Sequence, residues 1–334
     1  MTGMIKAPEG PKYARIMGVG CYRPSRVVTN EEICTRIDST DEWIRERSGI
    51  VERRYAGENE SVLDMASLAA TQAIANAGIA PDQIGLVIVA SITYPYLSPA
   101  AATQVAVRIG ATGAAALDIS SACAGFCYGI SLASDSVRGG NTKYAVVIGA
   151  DRLTDWFDHS DRTMAFLFAD GSGAAVIGPS DVPAIGPTIW GSDGTQIDAL
   201  GIAPSFLDQR RDPVNNVPML YMQGQAVFRW AIGEMASAAQ EALDAAGVTV
   251  DQLDAFIPHQ ANNRITDALI RALKIPDHVP VARDIVTMGN TSAASIPLAM
   301  SRMIDERQVQ SGGTALIIGF GAGLAYAAQV IMLP

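Results

Sequence analysis

Residues 66–91 read ASLAATQAIANAGIAPDQIGLVIVAS, and residues 235–260 read MASAAQEALDAAGVTVDQLDAFIPHQ. Both stretches hold the same order: an Ala-rich helical pattern, a glycine where the helix should stop, an Asp-Gln turn and an apolar strand. The offset is constant, since 247 − 78 for the glycine and 251 − 82 for the aspartate both give 169. The correspondence runs on. KYAVVIG at 143–149 matches TALIIG at 314–319, and GAAVIG at 173–178 and the apolar residues 325–332 close the two halves as strands. A period of about 20–50 residues would indicate a solenoid, whereas one this long indicates a duplicated α/β domain.

Composition agrees. The 334 residues are 49% hydrophobic and 17% charged, which excludes a disordered chain. With 31 Gly but only 8 Phe and 4 Trp, the core must come from small aliphatic side chains in close-packed layers. The net charge of −10 argues against nucleic acid as a partner. Cys21, Cys34, Cys123 and Cys127 are too few and too scattered for a disulfide framework, and no second Cys/His pair completes a zinc pattern, so no metal is expected. The first residues lack the apolar core of a secretion signal, and a cytoplasmic, reducing compartment is expected. Residues 315–333 are long and apolar enough to suggest a membrane span. Gly319, Gly321, Gly323 and Gln329 interrupt them, which favours two buried strands around a tight turn and no membrane association. Residues 179–220 hold six of the 17 prolines and read as a loop-rich connection or cap. The expected division is therefore 1–180, a connection at 181–220, and 221–334.

Four motifs carry possible chemistry. In DISSACAGF (118–126) a strand gives way to a helix at Cys123. A thiol at a helix N-terminus is placed for a lowered pKa, and the free N–H groups can cradle an oxyanion; a buried inert cysteine is the alternative. In PHQANNRI (258–265) His259 ends the second repeat's strand, the place where α/β sheets build sites, although a single His is often structural. GNTSAAS (289–295) precedes another helix, where Asn290 could be a site residue or simply a cap. It occupies nearly the repeat position of the Cys123 loop, so a pseudo-two-fold would bring Cys123, His259 and Asn290 together. GFGAG (319–323) lacks the context of a dinucleotide-binding loop and reads as a turn between strands.

With STDEWI (39–44), RSGI (47–50), DQIGLVIVA (82–90) and DRTMAFLFADGSGAAV (161–176), these motifs resemble β-ketoacyl-acyl-carrier-protein synthase III, a condensing enzyme of the thiolase superfamily. The resemblance runs nearly end to end. It implies a thiolase-like fold, with duplicated βαβαβαββ halves in a five-layer αβαβα sandwich, and a homodimer. It implies no cofactor, with acyl-CoA and malonyl-acyl-carrier protein as substrates of a decarboxylative Claisen condensation that initiates type II fatty-acid synthesis. Cys123 would carry the acyl primer, and His259 and Asn290 would stabilise the enolate. Phe320 would flank the malonyl carboxylate, and the Gly321–Ala322 turn would complete the oxyanion hole. Trp43 and Arg162 would sandwich the CoA adenine, with Arg47, Ser39 and Asn262 on its phosphates or pantetheine arm. Arg264, Arg271 and Lys274, at i, i+7 and i+10, would form a basic face for acidic carrier protein.

The departures from relatives narrow the reading. Asn290 stands where elongating synthases have a second His, which supports acyl-CoA priming. Ser98 stands where some relatives place Phe against the acyl chain, which predicts medium, long or branched primers. Alternatives on the same residues are a starter-unit condensing or acyl-transfer enzyme of polyketide metabolism, a Cys–His–Asn hydrolase in which Asn orients His, and a non-catalytic acyl-binding protein.

Overall fold

The computed structural model describes residues 5–334. The first four residues, part of the segment read above for a secretion signal, lie outside the described residues. The first half runs β1 (Tyr13–Tyr22), β2 (Arg26–Thr29), α1 (Asn30–Cys34), α2 (Asp41–Ser48), β3 (Glu52–Tyr55), α3 (Val62–Ala77), β4 (Ile84–Ala90), α4 (Ala101–Arg108), β5 (Ala115–Ile119), α5 (Gly125–Arg138), β6 (Tyr144–Arg152) and β7 (Asp170–Ser180). The second half runs β8 (Ile189–Ser192), β9 (Leu200–Ala203), α6 (Phe206–Arg211), β10 (Met219–Met222), α7 (Gly224–Ala246), β11 (Ala255–Pro258), α8 (Asn263–Leu273), α9 (Ile285–Met288), α10 (Ser295–Asp305), β12 (Thr314–Gly321) and β13 (Ala325–Met332).

The repeated stretches fold as their sequences dictate. Both long helices end on a left-handed glycine, Gly78 at φ 67° and Gly247 at φ 68°. The repeated glutamine turns back on its own backbone: Gln83 Oε1 accepts from Ala80 N–H at 3.0 Å, and Gln252 Oε1 from Thr249 N–H at 2.9 Å. Each turn then delivers the chain into β4 or β11.

Two large sheets result, in the orders β1-β7-β6-β4-β5 and β11-β12-β13-β8, beside the two-stranded pairs β2-β3 and β9-β10. Alternate residues of each strand face opposite layers, and the core records this. Ile88, Val147 and Ile177 of the first sheet meet Ile257, Ile317 and Ile331 of the second across α5 and α10. Val87, Val146 and Val176 face outward onto α3 and α4. Phe256, Leu316 and Ile318 face outward onto α7 and α8. The layers are therefore helix, sheet, helix, sheet, helix, and strands covered on both faces read as the continuous apolar runs seen in the sequence. The run 315–333 forms β12 and β13. Among the described residues no helix is long and apolar enough to cross a membrane.

Two departures from the simple repeat matter. The segment 181–220 is not only a cap, because β8 pairs with β13 at the edge of the second sheet. Its remainder folds β9 and β10 into an antiparallel ribbon. The second half also lacks the counterpart of β5. Beside β11 the chain makes one parallel bridge, with Phe256 N–H donating to Pro280 O and Ala282 N–H to Phe256 O. The buried Asp284, ion-paired to Arg302 at 2.7 Å, then draws the chain into the single turn of α9.

Candidate active site

Cys123 lies in a short 3₁₀ turn, Ala122–Ala124, that runs into α5. Ala122 takes the left-handed φ of 44°, which bends the strand sharply into the helix and presents the thiol. The β12–β13 turn approaches from the other sheet. A Cβ on Gly321 would stand 2.9 Å from Cys123 N and 3.1 Å from its Sγ, so only glycine admits this contact. The expected low thiol pKa is not found. Burial pushes Cys123 up to about 12, opposed by the Ser292 hydroxyl and its own N–H, while the charge of Asp151 pushes it further up. Desolvation of the thiolate outweighs the helix terminus here. Cys127, equally buried and also raised to about 12, is a packing residue against Gly319.

His259 follows β11, its backbone N–H held by Ile318 O at 2.7 Å. The ring is buried, edge-on to Phe320 at 5.1 Å between centroids, with Nδ1 2.7 Å from Ser295 Oγ. Burial pushes its pKa down to about 3, so the imidazole is neutral at physiological pH. Asn290 is clamped between Leu167 and Ala169 by two backbone hydrogen bonds of 2.9 Å. Its Oδ1 accepts from Ser292 N–H at 2.9 Å, which fixes the amide so that Nδ2 is the end left for a ligand. Asn290 does not orient His259, whose ring partner is Ser295; the arrangement of a Cys–His–Asn hydrolase is not formed.

Cys123, His259, Asn290, Phe320 and Gly321 line one cavity of about 620 Å³ together with Trp43, Arg47, Arg162, Asn262 and Arg264. Cys123 and Ala322 also line a second cavity of about 350 Å³, walled by Ile92, Leu153, Phe168, Leu200, Ile202 and Leu220. The thiol thus stands where a polar-mouthed cavity meets an apolar one.

The binding residues divide. Arg162 stacks on Trp43 at 4.6 Å, and Arg47 lies 5.7 Å from the same ring. An adenine would have to displace Arg162 to enter between them. Both amide ends of Asn262 are engaged, Oδ1 with Arg264 N–H and Nδ2 with Arg47 O, each at 2.9 Å, so it braces α2 against α8. Ser39 lines neither cavity, and Thr40 caps α2 in its place. Ser98 also lines neither. It sits exposed on the loop after β4. Arg264, Arg271 and Lys274 are exposed along α8 and its C-cap; Arg264 alone reaches the cavity, stacked on Phe228 at 5.4 Å.

Sequence reasoning missed Ser292, Ser295 and Asp151 as parts of the site, although the first two fall inside the GNTSAAS motif. Asp151 is fully buried and accepts from Ile92 N–H and Thr93 Oγ1 at 2.9 Å and from Ser91 Oγ at 3.1 Å.

Comparison with known proteins now adds to this geometry. The 3-oxoacyl-[acyl-carrier-protein] synthase III family description matches residues 117–194, and its C-terminal counterpart matches residues 243–333. The chain is 54% identical to the β-ketoacyl-[acyl-carrier-protein] synthase III of Streptomyces glaucescens over 99% of both chains. The chain belongs to the β-ketoacyl-acyl-carrier-protein synthase III family. It is 47% identical to the mycobacterial β-ketoacyl-[acyl-carrier-protein] synthase III of Mycobacterium avium, over 99% of this chain and 98% of that one. Among solved structures, the priming β-ketosynthase of the R1128 polyketide pathway superposes with a TM-score of 0.97 at 46% identity, over 99% of both chains. The synthase III of Aquifex aeolicus VF5 gives 0.88 at 36% identity, over 96% of this chain and 99% of that one. The fold is thiolase-like, and the chain is a condensing acyltransferase that joins an acyl-CoA primer to malonyl-acyl-carrier protein in fatty-acid synthesis.

Proposed function

We propose that the two cavities meeting at Cys123 divide this reaction between them, and that this junction carries the assignment of roles. The acyl-CoA enters through the larger cavity. The Cys123 sulfur bonds to the acyl carbon, the bond to CoA sulfur breaks, and the thiol proton leaves with CoA. The acyl chain lies in the smaller apolar cavity. Malonyl-carrier protein then enters by the same mouth. Its thioester carbonyl accepts from His259 and from Asn290 Nδ2 while the carboxylate leaves as CO₂, and the enolate carbon attacks the acyl carbonyl and expels the Cys123 thiolate. Phe320 excludes water beside the departing carboxylate. No cofactor takes part, since every electron pair comes from the two thioesters and the thiol.

The apolar wall from β9 and β10 supports a medium or branched primer. In place of Ser98, Leu200, Ile202 and Leu220 set its length. Arg264, Arg271 and Lys274 provide cations for an acidic carrier protein. Among the described residues the edge strand β5 pairs only with β4, and Leu97 on the loop between β4 and α4 is 86% exposed, which suits a second copy of the chain as homodimer partner. A cytoplasmic location accords with the free cysteines.

Starter-unit condensation in polyketide synthesis is a second reading, favoured by the likeness to the R1128 priming synthase. Intact-mass analysis after incubation with acyl-CoAs of graded length tests the assignment. A single acyl adduct, discharged by malonyl-carrier protein to a 3-oxoacyl product, is the expected result. No adduct on folded protein would overturn it.

A further inference from the structure

A neutral imidazole carries one N–H, so His259 can donate into the cavity only if that proton sits on Nε2. We propose that Ser295 is the positioning residue that sets this tautomer: its hydroxyl donates to His259 Nδ1 and leaves Nε2–H as a fixed donor toward the substrate carbonyl. The inference deepens the decarboxylation role given to His259 above and rests on it.

The geometry leaves little choice. Ser295 Oγ and His259 Nδ1 are 2.7 Å apart, with the residues 1% and 3% exposed. The hydroxyl oxygen already accepts from Gln260 N–H at 3.3 Å. Among the described residues the only other group at hydrogen-bond distance from this oxygen is Nδ1. A buried hydroxyl proton left without an acceptor forfeits its hydrogen bond to water with nothing in return, so the proton points at Nδ1. In the alternative tautomer Nδ1–H would donate to the hydroxyl oxygen, the hydroxyl proton would be left without an acceptor, and Nε2 would have nothing to give. The surroundings are rigid. Ser295 is the first residue of α10. Gln260 is tied to Pro258 O at 2.7 Å and to Ile285 N–H at 3.2 Å. Phe320 closes one side of the imidazole.

The choice of a hydroxyl also has a chemical meaning. A carboxylate at this position would stabilise an imidazolium and make the ring a base. A serine supplies no such charge, so the ring stays a neutral donor, which is what a developing enolate oxygen requires. The Ser295–His259 pair therefore separates a decarboxylating site from a hydrolytic one.

The test uses the full chain, uniformly ¹⁵N-labelled, with His259→Ala to assign the ring among the three histidines. Two-bond ¹H–¹⁵N correlation of the wild type should show the Nε2–H pattern for His259. Ser295→Ala should lose that pattern, and its decarboxylation of malonyl-carrier protein should fall by about 10²-fold, the scale of removing one transition-state donor. Its acylation by acyl-CoA should stay at the wild-type rate, which also reports that the variant is folded. An Nδ1–H pattern in the wild type, which needs no variant, overturns the inference, and so does wild-type decarboxylation by Ser295→Ala. Failure of the wild type to decarboxylate malonyl-carrier protein would bring down the His259 role itself, and that outcome is distinguished by the wild-type assay alone.

Discussion

In the first half, Ala122 at φ 44° opens the 3₁₀ turn that runs into α5; in the second, Ser292 at φ 53° opens the turn that runs into α10. The offset is 170 (292 − 122), and it sets Cys123 opposite Ala293. Left-handed backbone at a residue other than glycine costs about 1–3 kcal/mol, and the fold accepts that cost at both related positions. The backbone device is thus common to the halves, and the side chains hung on it differ. One loop offers a nucleophile. The other offers Asn290 Nδ2 and, through Ser295, the donor state of His259. Duplication supplied the frame, and the proposed mechanism assigns the two half-reactions of the condensation to opposite sides of it.

Breaking the first side should have the largest effect. Cys123→Ala should abolish the acyl adduct and lower condensation by at least about 10⁴-fold, measured by intact mass and product formation, as expected when a covalent step is removed. Breaking the second side should be milder and selective. Asn290→Ala should slow decarboxylation of malonyl-carrier protein by about 10²–10³-fold while acylation by acyl-CoA proceeds normally. A pH series sharpens the contrast. Because burial raises the Cys123 thiol to about 12, the thiolate fraction and the acylation rate should climb about tenfold per pH unit through the neutral range. Because His259 is lowered to about 3, decarboxylation should stay flat from about pH 5 to 9, where the ring is neutral throughout. Filling the apolar cavity with Leu220→Trp should shift the preferred acyl-CoA toward shorter chains by about 10–200-fold in relative kcat/KM, the range of one or a few methylenes. Trp43→Ala should be the mildest change, raising the acyl-CoA KM about fivefold through loss of a partly exposed stacking contact.

Much of this was legible in the sequence because it depends on local spacing. The glycines at 78 and 247, the repeated Asp-Gln turn and the apolar strands define both halves, put His259 at the end of β11 and give the Cys123 and Asn290 loops nearly equivalent places in the repeat. What was not legible depends on packing between distant segments. The direction of the Cys123 shift follows from how deeply two sheets bury it, and no local pattern reports that. Ser98 sits exposed on the loop after β4 and lines neither cavity, while Leu200, Ile202 and Leu220 of β9 and β10 come from a stretch that reads only as proline-rich. Ser295 lies inside a motif already singled out, but its partner is 36 positions away and is met only through the fold. Where a counterpart of β5 would lie, the chain turns into α9 beside the buried Asp284, whose ion pairs with Arg302 and Arg23 join segments far apart in sequence.

The division of labour is tested most directly by decarboxylation of malonyl-carrier protein by Cys123→Ala, followed by CO₂ release and the mass of the carrier protein. The account predicts that the variant, unable to hold an acyl group, still converts malonyl-carrier protein to acetyl-carrier protein, because the donors on the second half are intact. Loss of decarboxylation in folded Cys123→Ala protein would show that the two halves do not act separately and would contradict the account.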